Sequence, residues 1–210
     1  MSTAEIERTF YVERVPEQFN ETLSRQRAAA AGNPDAARVL EEMEAVRTAI
    51  VVRVQGEAGS AAYSYSLERG RMESVERAER KPFLTLEHRR EDFEAIRRAC
   101  GDSLLGFLGA LSGQREELRL TAQRVRSLRS LEAVIELEVR GPSGFSLRAS
   151  FGSAPSTAEP RARIRLDQSV YEALRAGELD LQQAFIDEVI EVEGDLELAV
   201  SLALAAASPD

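Results

Sequence analysis

Residues 134–141, VIELEVRG, and residues 49–56, AIVVRVQG, decide how this chain is read. In the first stretch Ile135, Leu137 and Val139 alternate with Glu136, Glu138 and Arg140. In the second, Ile50, Val52 and Val54 alternate with polar or variable positions. Successive side chains of a strand point to opposite faces, so a period of two with one apolar set predicts a half-buried strand. Each run stops at a glycine, and the two lie 85 residues apart.

The likeness continues outward from both runs. Tyr63, Tyr65 and Leu67 alternate ahead of Gly70, and Phe145, Leu147, Ala149 and Phe151 alternate ahead of Gly152. Leu84-Thr85-Leu86 precedes a polar helix holding Phe93 and Ile96, while Ile164-Arg165-Leu166 precedes Val170, Tyr171 and Leu174. Gly101 then leads into DSLLGFLGAL, and Gly177 into ELDLQQAFI. The offset falls in small steps from 85 to 76, as loop deletions would leave it. A shared order of strand, strand, strand, helix, glycine, helix predicts an internal duplication. The fold expected is α/β (α+β), built as two tandem units. A helical lead over 1–47 belongs to the first unit, which spans 48–118; the second spans 119–210. Within the lead, Phe19 and Leu23 open a helical pattern that breaks at Asn33-Pro34-Asp35. Pro34 is pre-set for an early helical position, and Val39, Leu40, Met43 and Val46 follow at helical spacing. Leu118, Leu120 and Ala122 alternate as a strand, ahead of a basic stretch over 124–129.

In residues 163–206 a glycine-led helix, Gly177, Leu179, Ala184 and Phe185, is followed by Ile190, Val192, Gly194 and Asp195 and an apolar final helix. This arrangement resembles the sterol carrier protein type two family, the non-specific lipid-transfer fold. The resemblance implies, for each unit, a roughly five-stranded, mostly antiparallel sheet with helices on one face and an apolar tunnel between them. It also implies non-enzymatic binding of sterols, fatty acyl chains or other lipids. The family carries a glycine soon after the Ala-Phe pair, where this chain has Asp187-Glu188. The first copy shares the order of elements but lacks both the Ala-Phe pair and the Gly-Asp ending.

The residues of this region can be read on their own. A helix over 181–186 points Phe185 toward the sheet, and a strand over 189–193 sends Ile190 and Val192 one way and Glu191 and Glu193 the other. In the last helix Leu196, Ala199, Val200 and Ala203 form one stripe, with Leu198, Leu202 and Leu204 off it. A helix apolar on more than one side is buried, binds a partner or covers a ligand. The apolar pocket expected from the motif is bordered by Phe151, Leu181, Phe185, Ile186 and Val189. Ile190, Leu196, Val200 and Leu204 complete it.

Composition narrows the chemistry. The chain has 210 residues, 43% hydrophobic and 30% charged, a globular balance. A single cysteine, Cys100, excludes an internal disulfide and a cysteine zinc site; a single histidine, His88, excludes multi-histidine metal sites. His88 is expected at the exposed start of a polar helix, replaceable by alanine within about 0.5 kcal/mol. Cys100 reads as a small buried thiol. Gly106, Gly109 and Gly113 lack the Gly-Lys-Ser/Thr of a phosphate loop, and Gly141-Pro142-Ser143-Gly144 is a hairpin turn. The acids of the tail read as a solvated strand face, not a metal site. No catalytic residue, cofactor or metal is expected.

Net charge is −9, from 27 basic and 36 acidic residues, which repels nucleic-acid phosphates. Residues 175–210 hold nine acids and one base, whereas 115–129 hold five arginines and two glutamates. The first residues, MSTAEIERTFYVERV, do not read as a secretory leader, and no apolar run approaches the roughly 20 residues of a membrane span. A cytoplasmic protein carrying a hydrophobic small molecule or lipid is expected; transient membrane contact and a homodimer are both compatible with it. The alternative is the same fold with filled pockets, acting as a protein-interaction or accessory module. In that reading the basic and acidic segments mate across a dimer or between the halves.

Overall fold

The alternating runs pair into a single sheet of eight strands, ordered β3-β2-β1-β4-β6-β5-β7-β8. The first four are β1 Arg47–Gln55, β2 Ala61–Glu68, β3 Arg71–Val75 and β4 Pro82–Arg89. The others are β5 Val134–Arg140, β6 Phe145–Phe151, β7 Ala162–Asp167 and β8 Ile190–Gly194. The computed structural model describes residues 2–57, 59–101, 103–108 and 118–207, apart from the Cys100 side chain. Gly109, Gly113, the end of the DSLLGFLGAL stretch and residues 115–117 of the basic segment lie outside the described residues, as does the thiol of Cys100.

Three strands of each half share one arrangement, while the fourth sits beside the hairpin in the first half and beside the parallel strand in the second. β1 and β2 form an antiparallel hairpin with β4 parallel to β1 on its other side. β5 and β6 form the second hairpin with β7 parallel to β5. Two five-stranded sheets were expected; instead four strands from each half join across an antiparallel seam of β4 and β6. Leu84 lies opposite Phe151 there, and Leu86 opposite Ala149. Apart, β4 and β6 would each show an unpaired row of backbone groups; together they satisfy one another. One apolar cluster accordingly runs through both halves, from Phe10 and Ile50 to Leu166 and Ala206.

The lead is a rod of three pieces: α1 Thr3–Thr9, a π-helical turn Phe10–Arg14, and α2 Val15–Ala30. It is followed by α3 Pro34–Glu44, where Asn33 accepts from the amides of Asp35 (3.0 Å) and Ala36 (3.2 Å) as the sequence anticipates. α2 also manages the sheet edge. The Asn20 amide donates to the Met72 carbonyl and accepts from the Met72 amide, both at 2.9 Å, and so stands in for a further strand beside β3.

Past residue 118 the expected strand is replaced. Leu118 and Leu120 are buried but unpaired, and Thr121 caps α4's successor instead: with α4 at Phe93–Cys100, that successor is α5, Ala122–Arg129. The Thr121 hydroxyl accepts from the Arg124 amide at 3.2 Å, and three alternating residues are too few to outweigh such a cap. α6 Gln168–Ala176, α7 Leu181–Ile186 and α8 Leu196–Ala207 complete the helical layer.

The opposite face of β5, β7 and β8 is charged and self-paired. Arg163 bonds Glu136 and Glu193 (both 3.4 Å), Arg165 reaches Glu138 (3.0 Å) and Glu193 (2.7 Å), and Arg140 reaches Glu191 (2.8 Å). Among the described residues no helix is long and apolar enough to cross a membrane.

Candidate functional site

The exposed large apolar side chains of the described residues are Ile186, Val189, Leu196, Val200 and Leu204, all within residues 186–204. Every other large apolar side chain among the described residues is at least partly covered. The local chemistry that builds this region starts at the Gly194-Asp195 pair. Gly194 has φ +92°, and a Cβ there would sit 2.4 Å from the Arg161 carbonyl oxygen, so only glycine fits. Asp195 then donates its amide to that same carbonyl (2.8 Å) and accepts the Leu198 amide on Oδ1 (2.9 Å), capping α8. Its other oxygen accepts from Arg161 at 2.5 Å. The Leu198 amide first, and then Arg161, hold the Asp195 carboxyl below the usual carboxylate value.

This cap fixes which side of α8 faces inward, and the phase differs from the one expected. Leu198, Ala199, Leu202, Ala205 and Ala206 are buried, while Leu196, Val200 and Leu204 form an outward line at i, i+4, i+8. The two leucines one turn apart carry more apolar area than the Ala199–Ala203 alternative and take the core side. In α7 the fully buried residue is Ala184; Phe185 and Leu181 are half-buried at the core margin. Phe151 and Ile190 are buried in the sheet. The nine residues of the expected pocket thus divide into two buried, two marginal and five exposed.

The turn after α7 has its own adjustment. Where the family carries a glycine, Glu188 takes φ +56°, a left-handed value that non-glycine residues seldom adopt.

A groove of about 600 Å³ opens between the end of α5 and the start of α8. Ser127, Ser130, Leu131, Arg161 and Asp195 line one part, and Leu198 and Leu204 another. Of the expected pocket residues, Leu204 alone lines this groove. Helix α5, from the basic segment, packs on α8, from the acidic one. A smaller cavity of about 140 Å³ lies between α4 and α6, beside Phe145 and Tyr171.

The largest departure from the sequence reading is His88. It was expected exposed; it is 5% exposed, inside β4, beside Val54 in register and on the helix-covered face with Leu84 and Leu86. The alternation of Leu84 and Leu86 extends two residues further than the strand read from sequence, and His88 is its next inward position. Its Nδ1 lies 2.8 Å from the Arg89 carbonyl, which only accepts, so Nδ1 carries the proton. Nε2 therefore accepts the Tyr11 hydroxyl at 2.6 Å. Burial pushes the imidazole below its ordinary value of 6.5, against the opposing pull of the Arg89 carbonyl and of Glu7 and Asp92.

A second buried polar group adjoins it. Glu7, 1% exposed, accepts from Tyr63 (2.9 Å) and from Arg90 Nε (2.7 Å). Desolvation, reinforced by Glu7, raises the Tyr63 phenol well above its usual value. Tyr11 and His88 border an enclosed apolar space of only about 20 Å³, together with Val52, Leu86 and Phe107. That is room for a single water, not a substrate. Among the described residues no group of three or more histidine, cysteine, aspartate or glutamate side chains is placed to hold a metal ion.

Residues 116–206 match the SCP-2 sterol transfer family. The C-terminal half of the chain is thus similar to sterol carrier protein type two, as its Ala-Phe and Gly-Asp motifs suggest. Among solved structures, sterol carrier protein 2 from Yarrowia lipolytica in its apo form is 15% identical, covering 56% of this chain and 90% of that one at a TM-score of 0.33. Sterol carrier protein 2 like 2 from Aedes aegypti is 20% identical, covering 54% and 95% at a TM-score of 0.32. No curated protein matches the chain.

Proposed function

We propose that this protein binds a hydrophobic ligand, a sterol, fatty acyl chain or other lipid, as a cytoplasmic carrier without catalysis. The observation that carries the reading is the coincidence of two facts on one segment. Residues 186–204 hold every exposed large apolar side chain of the described residues, and the same segment falls inside the match to a sterol transfer family. Burying each methylene of an acyl chain is worth about 0.8 kcal/mol, so such a surface needs no polar catalyst to hold its cargo. Ile186, Val189, Leu196, Val200 and Leu204 supply the entry surface. Phe185 and Leu181 are the margin that gives way, and Phe151 and Ile190 are the floor beneath. Leu198 and Leu202 are buried on the inner side of α8, so a cargo seated there displaces α8 outward. Contact with a membrane through α8 favours uncharged headgroups, since Glu193 and Glu197 flank the apolar line.

We further propose that the two halves descend from one unit, on the strength of the hairpin and parallel strand that recur in the same order.

The packed core also favours a second reading, in which Leu196, Val200 and Leu204 dock another protein or a second copy. Titration with a fluorescent fatty acid separates the two. The carrier reading expects saturable binding that is lost in a Leu196→Ser, Val200→Ser, Leu204→Ser variant with an unchanged melting temperature. A wild type that binds no fatty acid or sterol, and releases none on native mass spectrometry, overturns it in favour of docking.

A further inference from the structure

Around the seam between the halves lies a cleft of about 460 Å³ whose chemistry opposes that of the chain. Arg47 and Thr48 come from the start of β1, Arg80 and Lys81 from the approach to β4, and Arg129 from the end of α5. Ser153, just beyond β6, closes it. Three separate segments thus bring four cations to one wall, and Lys81 is the chain's only lysine. A single carboxylate, Glu79, lines the cleft with them.

The cations here are paired unlike those of the open sheet face. Arg163, Arg165 and Arg140 each meet at least two carboxylates. In the cleft, Lys81 Nζ rests on the Ser153 hydroxyl (3.0 Å) and Arg129 Nη2 on the Thr48 hydroxyl (2.9 Å). Thr48 is 1% exposed, so its hydroxyl is a fixed and dry anchor. Arg47 and Arg80 share one carboxylate, Glu68, at 3.3 and 2.8 Å. In a chain with 36 acids and 27 bases, a carboxylate for Lys81 or Arg129 would be easily found, yet both stay on neutral partners. The position of Arg129 is also set by the backbone. Gly152 has φ +64°, and a Cβ there would lie 2.3 Å from the Arg129 carbonyl oxygen, so the end of α5 is pressed onto the β6 turn.

The geometry points to an anion site for a phosphate ester. Three guanidinium groups and an ammonium line the cleft beside two hydroxyls, and guanidinium forks match the oxygens of a phosphate in pairs. The volume exceeds that of a bare ion and suits a phosphate with a small polar substituent. That group is either a soluble phosphorylated metabolite or the headgroup of a phospholipid. The site does not depend on the carrier reading, because none of its lining residues belongs to α7, β8 or α8.

Calorimetric titration with glycerol phosphate, against glycerol as the uncharged control, tests the soluble source. Pelleting with phosphatidylcholine vesicles, with and without phosphatidic acid, tests the headgroup. Wild-type protein is expected to bind one of the two phosphate probes, with affinity that falls as salt is raised. A Lys81→Gln, Arg129→Gln variant is expected to lose at least about tenfold in that affinity while still binding fatty acid. Should the double variant melt early, Lys81→Gln alone carries the test, since Lys81 is exposed and bonds the Ser153 hydroxyl at the surface. Folded wild type that prefers neither phosphate probe to its control overturns the site, and so does undiminished binding by the variant.

Discussion

His88 shows how one side chain reports on the whole strand that carries it. Replacing it by alanine removes the acceptor of the Tyr11 hydroxyl and leaves a void under α1 and the π-turn. We expect His88→Ala to cost about 2–3 kcal/mol in denaturant melts, far above the change for an exposed site. The imidazole also sets a pH dependence. Its folded value lies below 6.5, so between the two values the unfolded chain binds the extra proton. The stability that neutral His88 contributes is complete above the unfolded value and is lost as pH falls toward the folded one. Melting temperatures should therefore drop on acidification through that window, and the drop should be shallower in His88→Gln. A melting curve of the variant as steep in pH as the wild type would refute this. Phe151 and Phe185 give a second residue-level contrast. Phe151, fully buried at the seam, should cost about 3–5 kcal/mol on truncation to alanine. Phe185, half-buried at the margin of α7, should cost about 1–2 kcal/mol and change fatty-acid affinity more than stability.

At the scale of elements, most strands were legible because alternation is a local signal: β1, β2, β5, β6 and β7 follow from Ile50, Tyr65, Leu137, Leu147 and Ile164. What was not legible has a physical cause in each case. α8 offers only Glu197 and Ser201 as polar contrast among leucines and alanines, so its inward face could not be phased from sequence. The Asp195 cap and the Arg161 carbonyl settle that phase, and both act through geometry rather than composition. β4 runs three residues past Leu86, to Arg89, which carries His88 into the strand. The Thr121 cap overrides the brief alternation of Leu118 and Leu120, a local signal of only three residues. The cap at Gly194 yields a direct test. Gly194→Ala should cost at least about 1–2 kcal/mol, because a Cβ meets the Arg161 carbonyl and the backbone is left-handed. It should also loosen α8, read as faster amide exchange over 196–207 than in the rest of the chain.

The molecule as a whole is one sheet and one principal core, and that union across β4 and β6 had no sequence signature. Calorimetry should accordingly show a single unfolding transition, and residues 1–118 alone should fail to fold, since β4 would lose its partner and Leu84 and Leu86 their cover. Two resolved transitions would mean that the halves are independent after all. The charged lattice on the open face bears on a different matter, the fidelity of assembly. Apolar alternation forbids a slip of one residue, because every side chain would change face, but it is blind to a slip of two. In the native register Glu136, Glu138 and Arg140 of β5 face Arg163, Arg165 and Asp167 of β7. Sliding β7 by two residues one way sets Glu138 against Asp167; sliding it the other way sets Arg140 against Arg165. Each ion pair adds little to stability on its own, yet together they work as a key that turns in one position only. A chain with all six made serine should keep its melting temperature within a few degrees and refold with a larger misaligned fraction.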